Sequence, residues 1–146
     1  MAAILNVLQA RWVFERQELV RFGHCDPAGI VFYPRYFEML NALVEDWFTQ
    51  GLGVNYAELL GPRRTGVPTV HLGVDFQRIS RMGDLLAQRV AINKLGRSSL
   101  GLDIQFDGAD GVRVVFQQVL VCTSLDTHKP IAWPDDLRAA LQRCLD

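Results

Sequence analysis

What this chain has little of narrows its chemistry first. Three cysteines are spread over 146 residues, at Cys25, Cys122 and Cys144, an odd number without the density of a disulfide scaffold or the tight spacing of a metal site. They read as reduced thiols, and no metal is expected. Fifteen basic side chains against sixteen acidic ones leave a formal charge of -1, so no overall field attracts nucleic acid or an anionic membrane. No run approaches the ~20 apolar residues of a membrane span. The apolar start, Met1 to Leu8, is short, lacks a basic leader and reaches Arg11 without a cleavage site. A cytoplasmic location is the resulting expectation. A glycine-rich phosphate loop, a Ser-His-Asp framework and a basic aromatic stripe are likewise missing, which removes most competing functions.

What is present suits a packed domain. Hydrophobic residues make up 49% of the chain and charged ones 21%, enough to bury a core. The length fits one domain over residues 1–146, and no repeat or linker interrupts it. Residues 12–22 read as a first extended segment, followed by an irregular loop, Gly23-His-Cys-Asp-Pro-Ala-Gly29. A helix is expected from Pro34, tolerated in a first turn, to Gly51 as a C′ glycine. Its apolar face is Tyr36, Phe37, Leu40, Leu43, Val44, Trp47 and Phe48, at three- and four-residue spacing.

Residues 52–67 read as loop. The period then changes to two: Val70, Leu72, Val74 and Phe76; then Leu86, Val90 and Ile92; then Leu100, Leu102, Ile104 and Phe106. Residues 112–122 are almost continuously apolar, as in a strand covered on both faces, and Asp107-Gly108 with Asp110-Gly111 marks a hairpin before them. A short helix from Pro34's distant counterpart, Pro134, to Leu145 ends the chain. The expected class is α+β, with one long helix wrapped by a five-stranded antiparallel sheet. One helix cannot cover so wide a sheet, so a sheet edge or face is expected to be satisfied by a second copy, as a homodimer or homotetramer.

The run Val20-Arg-Phe-Gly-His-Cys-Asp-Pro-Ala-Gly-Ile-Val-Phe-Tyr-Pro34 closely resembles the active-site segment of the 4-hydroxybenzoyl-CoA thioesterase family of the hotdog fold. The family pattern is an acid followed by Pro-Ala-Gly, two apolar residues, an aromatic, Tyr and Pro. The resemblance extends over most of the chain, including Gly96-Arg-Ser-Ser99. It implies a cofactor-free thioesterase acting on a small acyl-coenzyme A, with Asp26 as the catalytic carboxylate and the Tyr33 backbone amide polarising the thioester carbonyl. Gly29 and Phe32 belong to the same substrate-binding segment, and Arg97, Ser98 and Ser99 match the segment that holds the nucleotide phosphates.

Both central roles have a physical basis. An amide at a helix mouth has the positive end of the macrodipole behind it, and a thiol of pKa about 8.5 leaves without a strong general acid. Asp26 could attack the carbonyl or activate water, since both need an ionised carboxylate; the alternative is that it merely caps the loop. His24 stands where the resembled enzyme carries an acid, and His71 lies on a strand that reaches a neighbouring subunit in hotdog dimers. Cys25 lacks a partnered base, because adjacent residues in an extended loop point apart. Arg63 with Arg64 and Arg78 with Arg81 are further basic groups for coenzyme A. Two other functions fit the same fold: a thioesterase for carrier-protein-linked acyl groups, and a non-catalytic acyl-CoA-binding module.

Overall fold

The computed structural model describes residues 10–146; the apolar start at 1–8 lies outside the described residues. Seven strands are β1 (Phe14–Leu19), β2 (Thr65–Gly66), β3 (Thr69–Phe76), β4 (Leu85–Leu95), β5 (Ser99–Gly108), β6 (Gly111–Val121) and β7 (Thr123–Ser124). Helices are α1 (Pro34–Asp46), α2 (Tyr56–Leu60) and α3 (Asp135–Leu145). The main sheet has five strands in the order β1-β4-β5-β6-β3, and every pair in it is antiparallel. β2 and β7 form a separate two-stranded ribbon. Among the described residues no helix is long and apolar enough to cross a membrane.

The sheet wraps α1 as the periodicities require. Tyr36, Met39, Leu40, Leu43 and Val44 are buried along α1, and they pack into one core with Leu100, Leu102, Ile104 and Phe106 of β5 and Val114 and Phe116 of β6. β6 is buried on both faces at its centre, where Val115 is as inaccessible as Phe116, which is why its sequence does not alternate. Gly108 pairs with Gly111 across a two-residue connection, and Gly111 takes φ +125°, open to glycine alone.

Three details depart from expectation. Phe37 is half-buried, and Met39 takes its place in the core face. The helical run ends at Gly51 as expected, but Gly51 is not a left-handed C′ glycine. The last turn, Trp47–Gly51, is π-helical, and the indole of Trp47 lies over Gly51, where a Cβ would come within 2.7 Å of the ring. The left-handed glycine that releases the chain is Gly53, φ +71°. Residues 52–67 are also not all loop. Asn55 caps α2 by accepting the Glu58 amide at 3.1 Å, and β2 follows, its backbone paired with β7; both elements are too short to show a period.

β3 is the edge strand; Val74 packs against the core, while other apolar side chains are left exposed, Val70 at 61% and Phe76 at 51%. At the other edge, β1 carries Arg16 inward, where it donates to Asp46 at 2.9 Å and to Gln88 at 2.8 Å. One edge is thus closed by charge and the other left apolar.

Candidate active site

The residues from His24 to Phe32 form a short hairpin in front of α1. The Phe32 amide donates to the His24 carbonyl at 2.9 Å, Cys25 and Val31 form an antiparallel bridge, and the Asp26 amide donates to Ile30 at 3.0 Å. Gly29 closes the tip: its amide donates to the Asp26 carbonyl at 2.9 Å, and its φ of +81° is open to glycine at no steric cost. Asp26 sits in this turn, half-buried, with one carboxylate oxygen accepting the Ala28 amide at 2.8 Å. Among the described residues Asp26 makes no ion pair, and its second oxygen has no donor. The turn that proline and aspartate favour therefore anchors half the carboxylate and leaves the other half open.

At the helix mouth the accounting of backbone donors is specific. Pro34 has no N–H, the Arg35 amide donates to Phe32 at 2.8 Å, and the Tyr36 amide donates to Tyr33 at 3.1 Å. Among the described residues the Tyr33 amide has no acceptor, so it remains one of the orphan donors of a helix start. Beside it opens a cavity of ≈ 250 Å³ lined by Ile30, Val31, Tyr33, Tyr36, Phe76, Gln77, Arg78 and Ile79. Asp26 is not among its lining residues; it belongs to the hairpin that forms one wall. The Tyr33 ring packs edge-on to Phe32, Phe37 and Phe76 at 5.7, 6.5 and 6.3 Å, making the mouth largely aromatic, and Phe32 and Tyr33 stay 46% and 60% exposed.

The remaining sequence candidates separate clearly. His24 is used within the hairpin: its Nδ1 accepts the Arg21 amide at 2.8 Å, and its Nε2 lies 3.9 Å from Glu18. Cys25 places its sulfur 3.6 Å from the Arg21 carbonyl, not against His24. His71 is exposed on the edge strand, opposite Val119. Arg63 is held by Asp136 through two contacts of 2.7 and 2.8 Å, and Arg64 by Asp126 at 3.1 Å, which accounts for both. Arg78 lines the cavity, and Arg81 is exposed nearby.

Arg97 and Ser98 lie in the turn between β4 and β5 and Ser99 opens β5, at the far end of the sheet from Asp26. β4 starts beside the Ser80–Asp84 turn that abuts the hairpin and spans 11 residues to Leu95, roughly 30 Å away at about 3.3 Å per residue. Within one protomer the two groups do not meet. The Ser98 carbonyl accepts the Cys122 amide at 2.7 Å and the Ser99 carbonyl accepts the Gly96 amide at 2.9 Å, while the exposed Arg97 guanidinium makes no ion pair among the described residues.

Sequence reasoning missed the support behind the hairpin. The Val31 amide donates to the Ser80 carbonyl at 2.9 Å. Ser80 is fully buried and receives Arg113 on its hydroxyl at 3.0 Å. Burial pushes the Tyr36 phenol upward in pKa, with Ser80 and then Arg113 pulling the other way. The signal was a lone Arg113 inside the most apolar strand. Of the thiols, Cys122 is pushed up to about 11 by burial, as an inert core cysteine should be.

A long helix wrapped by an antiparallel sheet is the hotdog arrangement, the fold of a class of thioester hydrolases. The chain belongs to the thioesterase-like superfamily, whose model matches residues 20–141. It is 25% identical over 134 residues to 1,4-dihydroxy-2-naphthoyl-CoA hydrolase from Synechococcus elongatus, covering 91% of this chain and 98% of that one. It is 31% identical over 84 residues to 4-hydroxybenzoyl-CoA thioesterase from a Pseudomonas species, covering 57% and 60%. Among solved structures, a gentisyl-coenzyme A thioesterase superposes with a TM-score of 0.79 at 26% identity, over 87% of this chain and 98% of that one.

Proposed function

We propose that this protein hydrolyses an aromatic acyl-coenzyme A to the free acid and coenzyme A, with Asp26 as the reacting carboxylate and the Tyr33 amide as the oxyanion donor. The observation that carries the reading is the unpartnered Tyr33 amide at the N-terminus of α1, set beside a hairpin whose aspartate has one oxygen uncommitted. As the carbonyl carbon becomes tetrahedral, its oxygen gains charge, and a fixed donor backed by a helix dipole stabilises that charge more than it stabilises the ground state. Asp26 either bonds to the carbonyl carbon, expelling thiolate and leaving a mixed anhydride for water to cleave, or removes a proton from the attacking water. Each route uses the same ionised oxygen. The aromatic rim of Phe32, Tyr33 and Phe76 supports a planar acyl group, as do the names of the three relatives, all of which specify an aromatic acid.

The nucleotide end of the substrate belongs, on this reading, to Arg97, Ser98 and Ser99 of a second protomer. Edge strand β3 has Phe76 at the cavity and Thr69 at the end near Ser98, where the Val121 amide donates to Pro68 and the Cys122 amide to Ser98. Antiparallel pairing of β3 with its copy lays each Thr69 end against the other's Phe76 end. That arrangement brings the phosphate-binding turn of one chain toward the hairpin of the other and covers Val70 and Leu72. The test is hydrolysis of matched thioesters by thiol release: 4-hydroxybenzoyl, dihydroxynaphthoyl and short aliphatic acyl groups on coenzyme A, and the same acyl groups on a carrier protein. Preference for aromatic coenzyme A thioesters supports the reading; equal turnover of carrier-linked acyl groups, or binding without turnover across the panel, refutes it.

A further inference from the structure

We propose that Arg113 is a positioning residue for the Asp26 hairpin, an inference that rests on the hydrolytic reading above. Arg113 lies on β6, 6% exposed, with every nitrogen of its guanidinium engaged. Nη1 donates to the Ile79 carbonyl and the Ser80 hydroxyl, both at 3.0 Å, and to Asp84 at 2.9 Å. Nε and Nη2 reach Asp110 at 2.9 and 2.7 Å. Asp84 in turn accepts the Arg81 amide at 2.9 Å, so one fork of donors sets the whole 79–84 connection.

That connection is the backing of the site. Ile79 lines the cavity, the Ser80 carbonyl holds the Val31 amide, and Val31 pairs with Cys25, next to Asp26. The chain of contacts runs Arg113, Ser80, Val31, hairpin, and each link is a hydrogen bond of fixed direction. A buried arginine is costly unless fully paired, and here its partners, the Ile79 carbonyl and the side chains of Ser80, Asp84 and Asp110, all lie in connections outside the strands. The carboxyl of Asp84 is held below the usual carboxylate range by the Arg81 amide first and Arg113 second, which keeps the clamp ionised at neutral pH. Losing the clamp lets the hairpin drift relative to the Tyr33 amide, and a displacement of about 1 Å can cost on the order of 100-fold in rate.

Four variants test this beside Asp26→Asn, each followed by steady-state kinetics and by amide exchange at Val31 and at Ile104 of β5. Arg113→Met removes the fork and Ser80→Ala the hydroxyl link. Gly108→Ala builds a Cβ within 2.3 to 2.5 Å of the guanidinium and displaces it while leaving Arg113 in place, which serves if Arg113→Met does not fold. The proposal predicts a kcat lowered at least ~10-fold by Gly108→Ala, a KM within about twofold, faster exchange at Val31 and unchanged protection at Ile104. Arg113→Lys should recover part of kcat. Wild-type kcat in the displaced-guanidinium variant, or a loss of activity that tracks equal loss of protection at Ile104, overturns it. An active Asp26→Asn enzyme would instead defeat the hydrolytic reading, while exchange at Val31 would still decide whether the clamp holds the hairpin.

Discussion

Asp26, Gly29 and Tyr33 differ in their bonding in ways that suit the roles proposed for them. Asp26 keeps one oxygen on the Ala28 amide and one free, and Gly29 supplies the positive φ that closes the turn. A methyl group at Gly29 meets no atom within 4 Å, so Gly29→Ala tests backbone strain without a packing change. A left-handed alanine costs about 1–2 kcal/mol, and the expected outcome is a stability loss of that size in denaturant titration, with a larger proportional fall in kcat as the turn shifts Asp26. A kcat that falls only as far as the folded fraction would mean that the turn does not position the carboxylate. The turn before a proline-initiated helix was legible in the sequence because Asp-Pro-Ala-Gly is a local turn pattern; the roles proposed for Asp26 and Tyr33 came from the family resemblance. The anchoring of His24 to Arg21 and Glu18 was not legible, since it depends on where β1 ends.

At the scale of elements, long periodic segments declared themselves and short or irregular ones did not. The run from Tyr36 to Phe48 and the alternation in β3, β4 and β5 specify one buried helix and a sheet, and the structure has both. Helix α2 spans five residues and β2 two, too few for any period to emerge, and the end of α1 leaves α-helical spacing where the Trp47 ring lies over Gly51. That contact is testable. Gly51→Ala forces a methyl against Trp47 at 2.7 Å and Phe14 at 3.0 Å, so overpacking should destabilise the protein by about 1–3 kcal/mol, read as a lower urea midpoint at unchanged slope. A midpoint equal to wild type would show that close packing against Trp47 and Phe14 does not require glycine at position 51. The 79–84 connection was illegible for a related reason: its order comes from Arg113, 29 or more residues away in sequence.

On the proposed reading, one chain leaves the site unfinished. Hairpin and helix mouth stand at one end of the sheet, the Arg97 turn stands at the other, and the apolar β3 edge lies between them. Pairing through β3 predicts a dimer or a dimer of dimers in light scattering at micromolar concentration, and Val70→Lys on that edge should shift it toward monomer with a raised KM. A stable, fully active monomer would show that one chain holds the complete site. The claim beneath all of this is that the carboxylate of residue 26 performs the reaction, and the most direct measurement compares kcat of wild type and Asp26→Asn on 4-hydroxybenzoyl-CoA, with both unfolding midpoints recorded. The account predicts equal midpoints and a kcat lower by about 100-fold or more; a folded Asp26→Asn enzyme with wild-type turnover would contradict it.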